Sequence, residues 1–248
     1  MAGQRAAGSG PPGGFLAGAR PSTMLVLVGL VLAALSVVEG LLLALGVLVT
    51  RVLAHGPVHR DEVAFEHTVL TIRTPVLDHV TRLGTVLGAT TTVVTLTAAG
   101  CLLLAWRGHG PRLPAFLALA VAGETALFVL ASVVLHRVRP PIPRLDAAPP
   151  TSSFPSGHTA ATVALWGALA LGLARTRPDQ RLTTLSRCLA AGLPLFVLLT
   201  RLYRGMHWPS DVLASVVFTT AWLLLLRSIL LPRSSADGPR DVSRGPAG

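Results

Sequence analysis

The sequence predicts an all-α fold, a polytopic membrane protein built as a bundle of six transmembrane helices. Three observations lead there. Of 248 residues, 51% are hydrophobic and only 13% charged, and the mean hydropathy is +0.63; that is too apolar for one soluble core of this length. The apolar residues gather into six runs. The polar clusters between the later runs recur at alternate ends, as expected of a chain that crosses a bilayer back and forth.

The elements follow in order. Residues 1–23 are rich in Gly, Ala and Pro without apolar periodicity, and residues 232–248 are similar with added charge, so both are expected as disordered tails flanking a membrane domain at 24–231. The run 24–50 exceeds the ~7–15 residues of a signal-peptide core and has no small-residue cleavage site, so it is an uncleaved first span. Runs 83–106 and 113–135 each hold the roughly twenty apolar residues a crossing needs. Runs 159–174, 188–200 and 212–226 are shorter, each with a polar cluster at one end, and count as spans four to six. Between the first two, 51–82 mixes charge with an apolar rhythm and is expected as a helix lying in the membrane interface.

A net charge of +10 and a pI near 11.6 raise the question of nucleic acid. The basic residues lie between and beside the apolar runs, with no interleaved aromatics, so a nucleic-acid partner is not expected. All 21 are arginine. Twelve lie on the side of the bundle that carries the termini and nine on the other, so the positive-inside rule places the termini in the cytoplasm. Cys101 and Cys188 form no disulfide or metal-spaced set and read as packing residues.

With six spans, the loop after the third and the loop after the fifth share the face opposite the termini. They read HRVRPPIPRLDAAPPTSSFPSGH, from His136, and TRLYRGMHWPSD, from Thr200. Each feature has a plain explanation: Ser156 as an N-cap, Pro140 closing a helix, His207 and Asp211 satisfying each other at a helix start. Together they supply two histidines, a carboxylate, arginines and a glycine turn at a helix N-terminus, a set suited to phosphate.

Arg139-Pro140, then Pro155-Ser156-Gly157-His158, then Arg201, His207 and Asp211 resemble, in order and spacing, the type 2 phosphatidic acid phosphatase superfamily of membrane lipid phosphatases. The likeness runs from about Asp78 to Leu226. It implies a six-helix membrane bundle that hydrolyses a lipid phosphate or diphosphate without a metal or other cofactor, from a substrate held in the bilayer, on the extracytoplasmic face. His207 would attack phosphorus to form a phosphohistidine, with Asp211 accepting a hydrogen bond from its other ring nitrogen. His158 would protonate the leaving oxygen and then activate water. Arg139, Arg201 and backbone amides around Ser156 and Gly157 would hold the phosphoryl oxygens.

One position departs from the pattern. The family's first motif begins with a lysine seven residues before its arginine, and Ser132 stands there; His136 or Arg137 is expected to compensate. A weakened family member that binds lipid phosphate without turnover is the alternative reading. A transporter gives no reason for the two loops to converge, and a soluble haloperoxidase conflicts with the spans. Glu39 and Glu124 lie inside apolar runs and are expected either in helix packing or in function.

Overall fold

A computed structural model describes residues 21–148, 151–176 and 179–231, and among these every regular element is helical. The predicted tails fall outside the described residues, except that residues 21–23 already belong to the first helix. That helix, α1 (Pro21–Val47), passes into a π-helical turn (Leu48–Val52) and a 3₁₀ turn (Leu53–His55). There follow α2 (Pro57–Thr71), α3 (Pro75–Gly88), α4 (Thr90–Trp106), α5 (Arg112–Val134), α6 (Gly157–Leu173), α7 (Gln180–Tyr203) and α8 (Pro209–Leu230).

Helices α1, α5, α7 and α8 are long and apolar enough to cross a membrane, and α3 with α4 makes a fifth span if the bent pair counts as one. Helix α6 is equally apolar but has only 17 residues, roughly 26 Å at 1.5 Å per residue. Large hydrophobic side chains on the outer surfaces stay open, among them Leu25, Leu102, Trp106 and Val217, as suits helices surrounded by lipid on their outer sides. The molecule is a multi-pass helical membrane protein.

Two elements differ from expectation. The single interfacial helix over 51–82 is two helices, because Pro75 cannot continue a helix and holds Thr74 extended before it. Thr74 then caps α3, its hydroxyl accepting from the Leu77 amide at 3.3 Å. The second span is also interrupted: Ala89 is extended, and α3 meets α4 at 51°.

Helix α6 sits at the centre, touching α4, α5, α7 and α8, while α1 closes over α5 and α8. Its buried face is small, with Ala160, Ala164 and Ala168, so neighbouring helices come close. Trp222 of α8 fills the middle of the bundle, fully buried, and its indole donates to the Ala120 carbonyl of α5 at 2.9 Å. Helix α3 approaches through glycine: a Cβ on Gly84 would lie 2.8 Å from Thr200 Cβ, and one on Gly88 would lie 2.9 Å from His158 Cβ. These contacts set α3 against the start of α6 and the end of α7, where the two motif loops meet.

Candidate active site

The second motif loop begins with a helix end. Helix α7 closes with the Gly205 amide on the Leu202 carbonyl and the Met206 amide on the Arg201 carbonyl, each at 3.0 Å, a glycine-dependent helix stop. Gly205 has φ +67°, which a side chain would strain. The reversal sends His207 back into the protein, where Nδ1 lies 2.7 Å from the Ser153 carbonyl. An Nδ1–H donating to that oxygen leaves Nε2 with a free lone pair. Burial pushes the imidazole below its ordinary value, against the raising influence of Asp211, so the ring is neutral at neutral pH.

The Asp211 carboxylate therefore plays a different part from the expected one. It lies 3.8 Å from His207 Nδ1, too far for a hydrogen bond, because the Ser153 carbonyl occupies that nitrogen. Oδ2 instead accepts the Trp208 amide at 2.9 Å, capping α8, and also the Ser153 hydroxyl. Oδ1 accepts from Arg137. Asp211 acts on His207 as a fixed charge and by holding Ser153.

His158 stands in the first turn of α6, half-buried, and lines a cavity of about 490 Å³ together with His207, Arg139, Arg201 and Gly157. The same cavity reaches Glu124 and the apolar Val93, Val121, Phe128 and Ala161. Polar groups thus gather toward one end of a largely hydrocarbon-lined space. Helix geometry leaves the amides of Gly157, His158 and Thr159 without intrahelical partners, at the positive end of the α6 dipole, and Gly157 and His158 line the cavity.

The arginines are positioned by their outer nitrogens. Arg139 donates to the Met206 carbonyl at 2.6 Å, and Arg201 to Asp146 at 3.0 Å and to the Thr85 hydroxyl. The Nε of each is buried without a hydrogen-bond partner. Both arginines line the cavity, and guanidiniums there fit an anionic ligand. Burial lowers the pKa of Arg139, with Asp211 opposing, yet a guanidinium stays charged.

Ser156 and Ser132 depart from their expected places. Ser156 is fully buried; its amide donates to the Ser215 hydroxyl at 2.8 Å and its own hydroxyl faces that of Thr159 at 3.1 Å, so it joins α6 to α8 and does not reach the cavity. Ser132 donates to its own helix at Val129 and lies off the cavity lining. Neither proposed substitute for the lysine reaches it. His136 and Arg137 line a separate cavity on the far side of Arg139, and Arg137 is engaged with Glu62, Ser210 and Asp211. Glu124 is buried on the cavity wall, 3.4 Å from the Thr125 hydroxyl, and Glu39 is buried without a hydrogen-bond partner.

Sequence reasoning missed Asp146. Its carboxylate receives Arg204 through Nε at 2.8 Å and a second nitrogen at 2.7 Å, and also Arg201 and Thr85. Burial alone would raise its pKa, but the Arg204 and Arg201 guanidiniums outweigh that and hold it at about 2. Its only sequence signal was a lone acid in a proline-rich, arginine-bearing loop.

The class is a multi-pass helical membrane protein in which two histidines and two arginines line one cavity. The PAP2 superfamily model matches residues 88–234, which contain all three motifs, and the chain belongs to that superfamily. Among solved structures it is similar to the crystal structure of the first transmembrane PAP2-type phosphatidylglycerolphosphate phosphatase, from Bacillus subtilis, with a TM-score of 0.64 and 22% identity. The match covers 84% of this chain and 93% of that one. A search of curated proteins finds no match.

Proposed function

We propose that the protein is an integral membrane phosphatase that hydrolyses a lipid phosphate or diphosphate through a phosphohistidine intermediate. The observation that carries this reading is the shared cavity, lined by two histidines and two arginines, whose apolar remainder suits a lipid chain. His207 Nε2 attacks phosphorus, forming the P–N bond as the P–O bond to the lipid breaks. His158 protonates the departing oxygen. Water then attacks phosphorus, His158 takes its proton, the P–N bond breaks, and phosphate leaves a neutral His207.

Arg139, Arg201 and the amides of Gly157, His158 and Thr159 supply the positive field for the three phosphoryl oxygens. In this reading, α3 and α4 form one bent span and α6 the short one, which completes six. Both termini then lie in the cytoplasm and the cavity opens toward the extracytoplasmic face, consistent with the 12 to 9 arginine bias.

The test is phosphate release by purified protein from phosphatidic acid, phosphatidylglycerol phosphate and a polyprenyl diphosphate. Release from at least one, inhibition by vanadate, a phosphoenzyme trapped on His207 and indifference to a chelator are expected. Vanadate binding without hydrolysis of any of the three would favour the alternative, a lipid-phosphate-binding member. For orientation, cysteines placed beside the His158 and His207 loops should react with an impermeant thiol reagent on intact cells; labelling only after lysis would reverse the topology.

A further inference from the structure

Helix α2 lies outside the span of the family match, yet its buried face is built into the site. Glu62, 6% exposed, accepts from Arg137 at 2.7 Å with one carboxylate oxygen. The other accepts the Ser210 amide at 3.0 Å and the Ser210 hydroxyl at 2.5 Å. The second terminal nitrogen of Arg137 reaches Asp211 Oδ1 and, at 2.7 Å, the Ser210 hydroxyl. Trp208 stacks under the Arg137 guanidinium at 5.4 Å and donates from its indole to the Val138 carbonyl at 2.8 Å, which shields the group. One guanidinium is thus shared between two buried carboxylates, only one of which adjoins His207.

From this geometry, and resting on the proposed role of His207 as nucleophile, we infer that Glu62 is a positioning residue that sets the charge felt by His207. Glu62, Arg137 and Asp211 together carry a net charge of −1 beside the ring. A buried Arg137 paired with Asp211 alone would cancel the carboxylate that stabilises a positively charged or phosphorylated imidazole. Because Arg137 is shared with Glu62, the cluster keeps one net negative charge and Asp211 is not neutralised.

Other charged and titratable groups face this region from each packed element. They are Arg139 from the proline-rich loop, His136 just after α5, His158 from α6, Arg201 from α7, Glu124 from α5, His59 of α2 with its ring 5.2 Å from that of Trp208, and Glu66 one turn along α2. Burial pushes Glu66 up to about 7, with further raising by Glu62 and Asp211 set against Arg73, so it is largely uncharged in mildly acidic solution. Glu66→Gln is therefore the matched control on the same helix.

The experiment titrates His207 in the full chain in lipid nanodiscs, using ring-labelled histidine and His207→Ala to identify its resonance. Glu62→Gln, an isostere without the charge, should lower the His207 midpoint by about one pH unit. Glu62→Asp and Glu66→Gln should leave it near wild type. Glu62→Gln combined with Arg137→Gln restores the net −1 and should bring the midpoint back up. In lipid phosphate hydrolysis, Glu62→Gln should lower kcat with KM unchanged and move the acid limb of the pH profile the same way. An unchanged His207 midpoint in Glu62→Gln, or a double variant displaced further than the single one, overturns the inference. Because the titration needs no turnover, a chain that hydrolyses none of the lipids refutes the phosphatase reading while the Glu62 result stands or falls separately.

Discussion

The imidazole of His207 is held by hydrogen bonds, whereas that of His158 is held by packing, with the helix start beneath it tied to α8 through Ser156 and Ser215. Around His207, the Ser153 carbonyl takes Nδ1, Asp211 takes the Trp208 amide and the Ser153 hydroxyl, and Arg137 binds Asp211 from the other side. Around His158, Gly88 admits the imidazole from α3, and Phe128 lies 3.0 Å from where a Cβ on Gly157 would project. The difference matches the two tasks proposed for them. A nucleophile needs one tautomer and one orientation, which directional bonds impose. A group that must give and then take a proton works better with its ring nitrogens toward substrate and water.

The sharpest way to break this contrast is to remove each histidine. His207→Ala should lower turnover of every substrate by more than about 10⁴-fold and abolish the phosphoenzyme, as loss of a nucleophile does. Substantial residual activity would end the assignment. His158→Ala should cost about 10²–10⁴-fold on a lipid alkoxide leaving group. An aryl phosphate, whose phenolate departs unaided, should still give a burst of phenolate and then stall. Gly88→Val should mimic this second pattern in weaker form, since it presses on His158 while leaving the His207 network intact. Equal damage to lipid and aryl substrates in Gly88→Val would mean that packing does not hold His158 in the way described.

Smaller effects sharpen the contrast. Asp146→Asn leaves Arg201 and Arg204 without their shared carboxylate, and breaking such a partly buried cluster costs on the order of 3 kcal/mol. A lowered thermal midpoint in detergent and a raised KM are expected, with the phosphoenzyme still formed. The pH dependence has a definite sign. In the folded protein the Asp146 carboxyl is held at about 2 against an ordinary value of 3.8, so its contribution to stability is complete above the unfolded value and is lost as the pH falls toward 2. Asp146→Asn should abolish this part of the acid sensitivity, measured by unfolding across that range. Ser132→Lys should change kcat/KM by less than about two-fold, the usual size for a substitution away from a site. A large gain would mean that the end of α5 lies nearer the phosphate than its geometry shows.

The motif positions were legible because His158, His207 and Arg139 sit at fixed distances from helix ends, and helix ends are written in local sequence: Gly205, Pro209 and the apolar runs. The partners of those residues were not. Ser153 meets His207 across 54 positions, Glu62 meets Ser210 across 148, and Asp146 meets Arg204 across 58. A carbonyl or a lone carboxylate carries no local signature of such a partner. The bend at Ala89 escaped for another reason: the run across it is uncharged, its threonines do not interrupt a span-length stretch, and hydropathy does not register one residue turned to extended backbone.

Asp211 stands in two structures at once. The oxygen that caps α8 through the Trp208 amide is the one that holds Ser153, whose carbonyl in turn orients His207. The first turn of the last helix and the tautomer of His207 are therefore thermodynamically coupled: whatever frays one randomises the other. Ligand affinity and amide protection at the start of α8 should rise and fall together, so occupancy of the cavity can be read as hydrogen-exchange protection at Asp211 and Val212, far along the chain from the amides of Gly157 and His158.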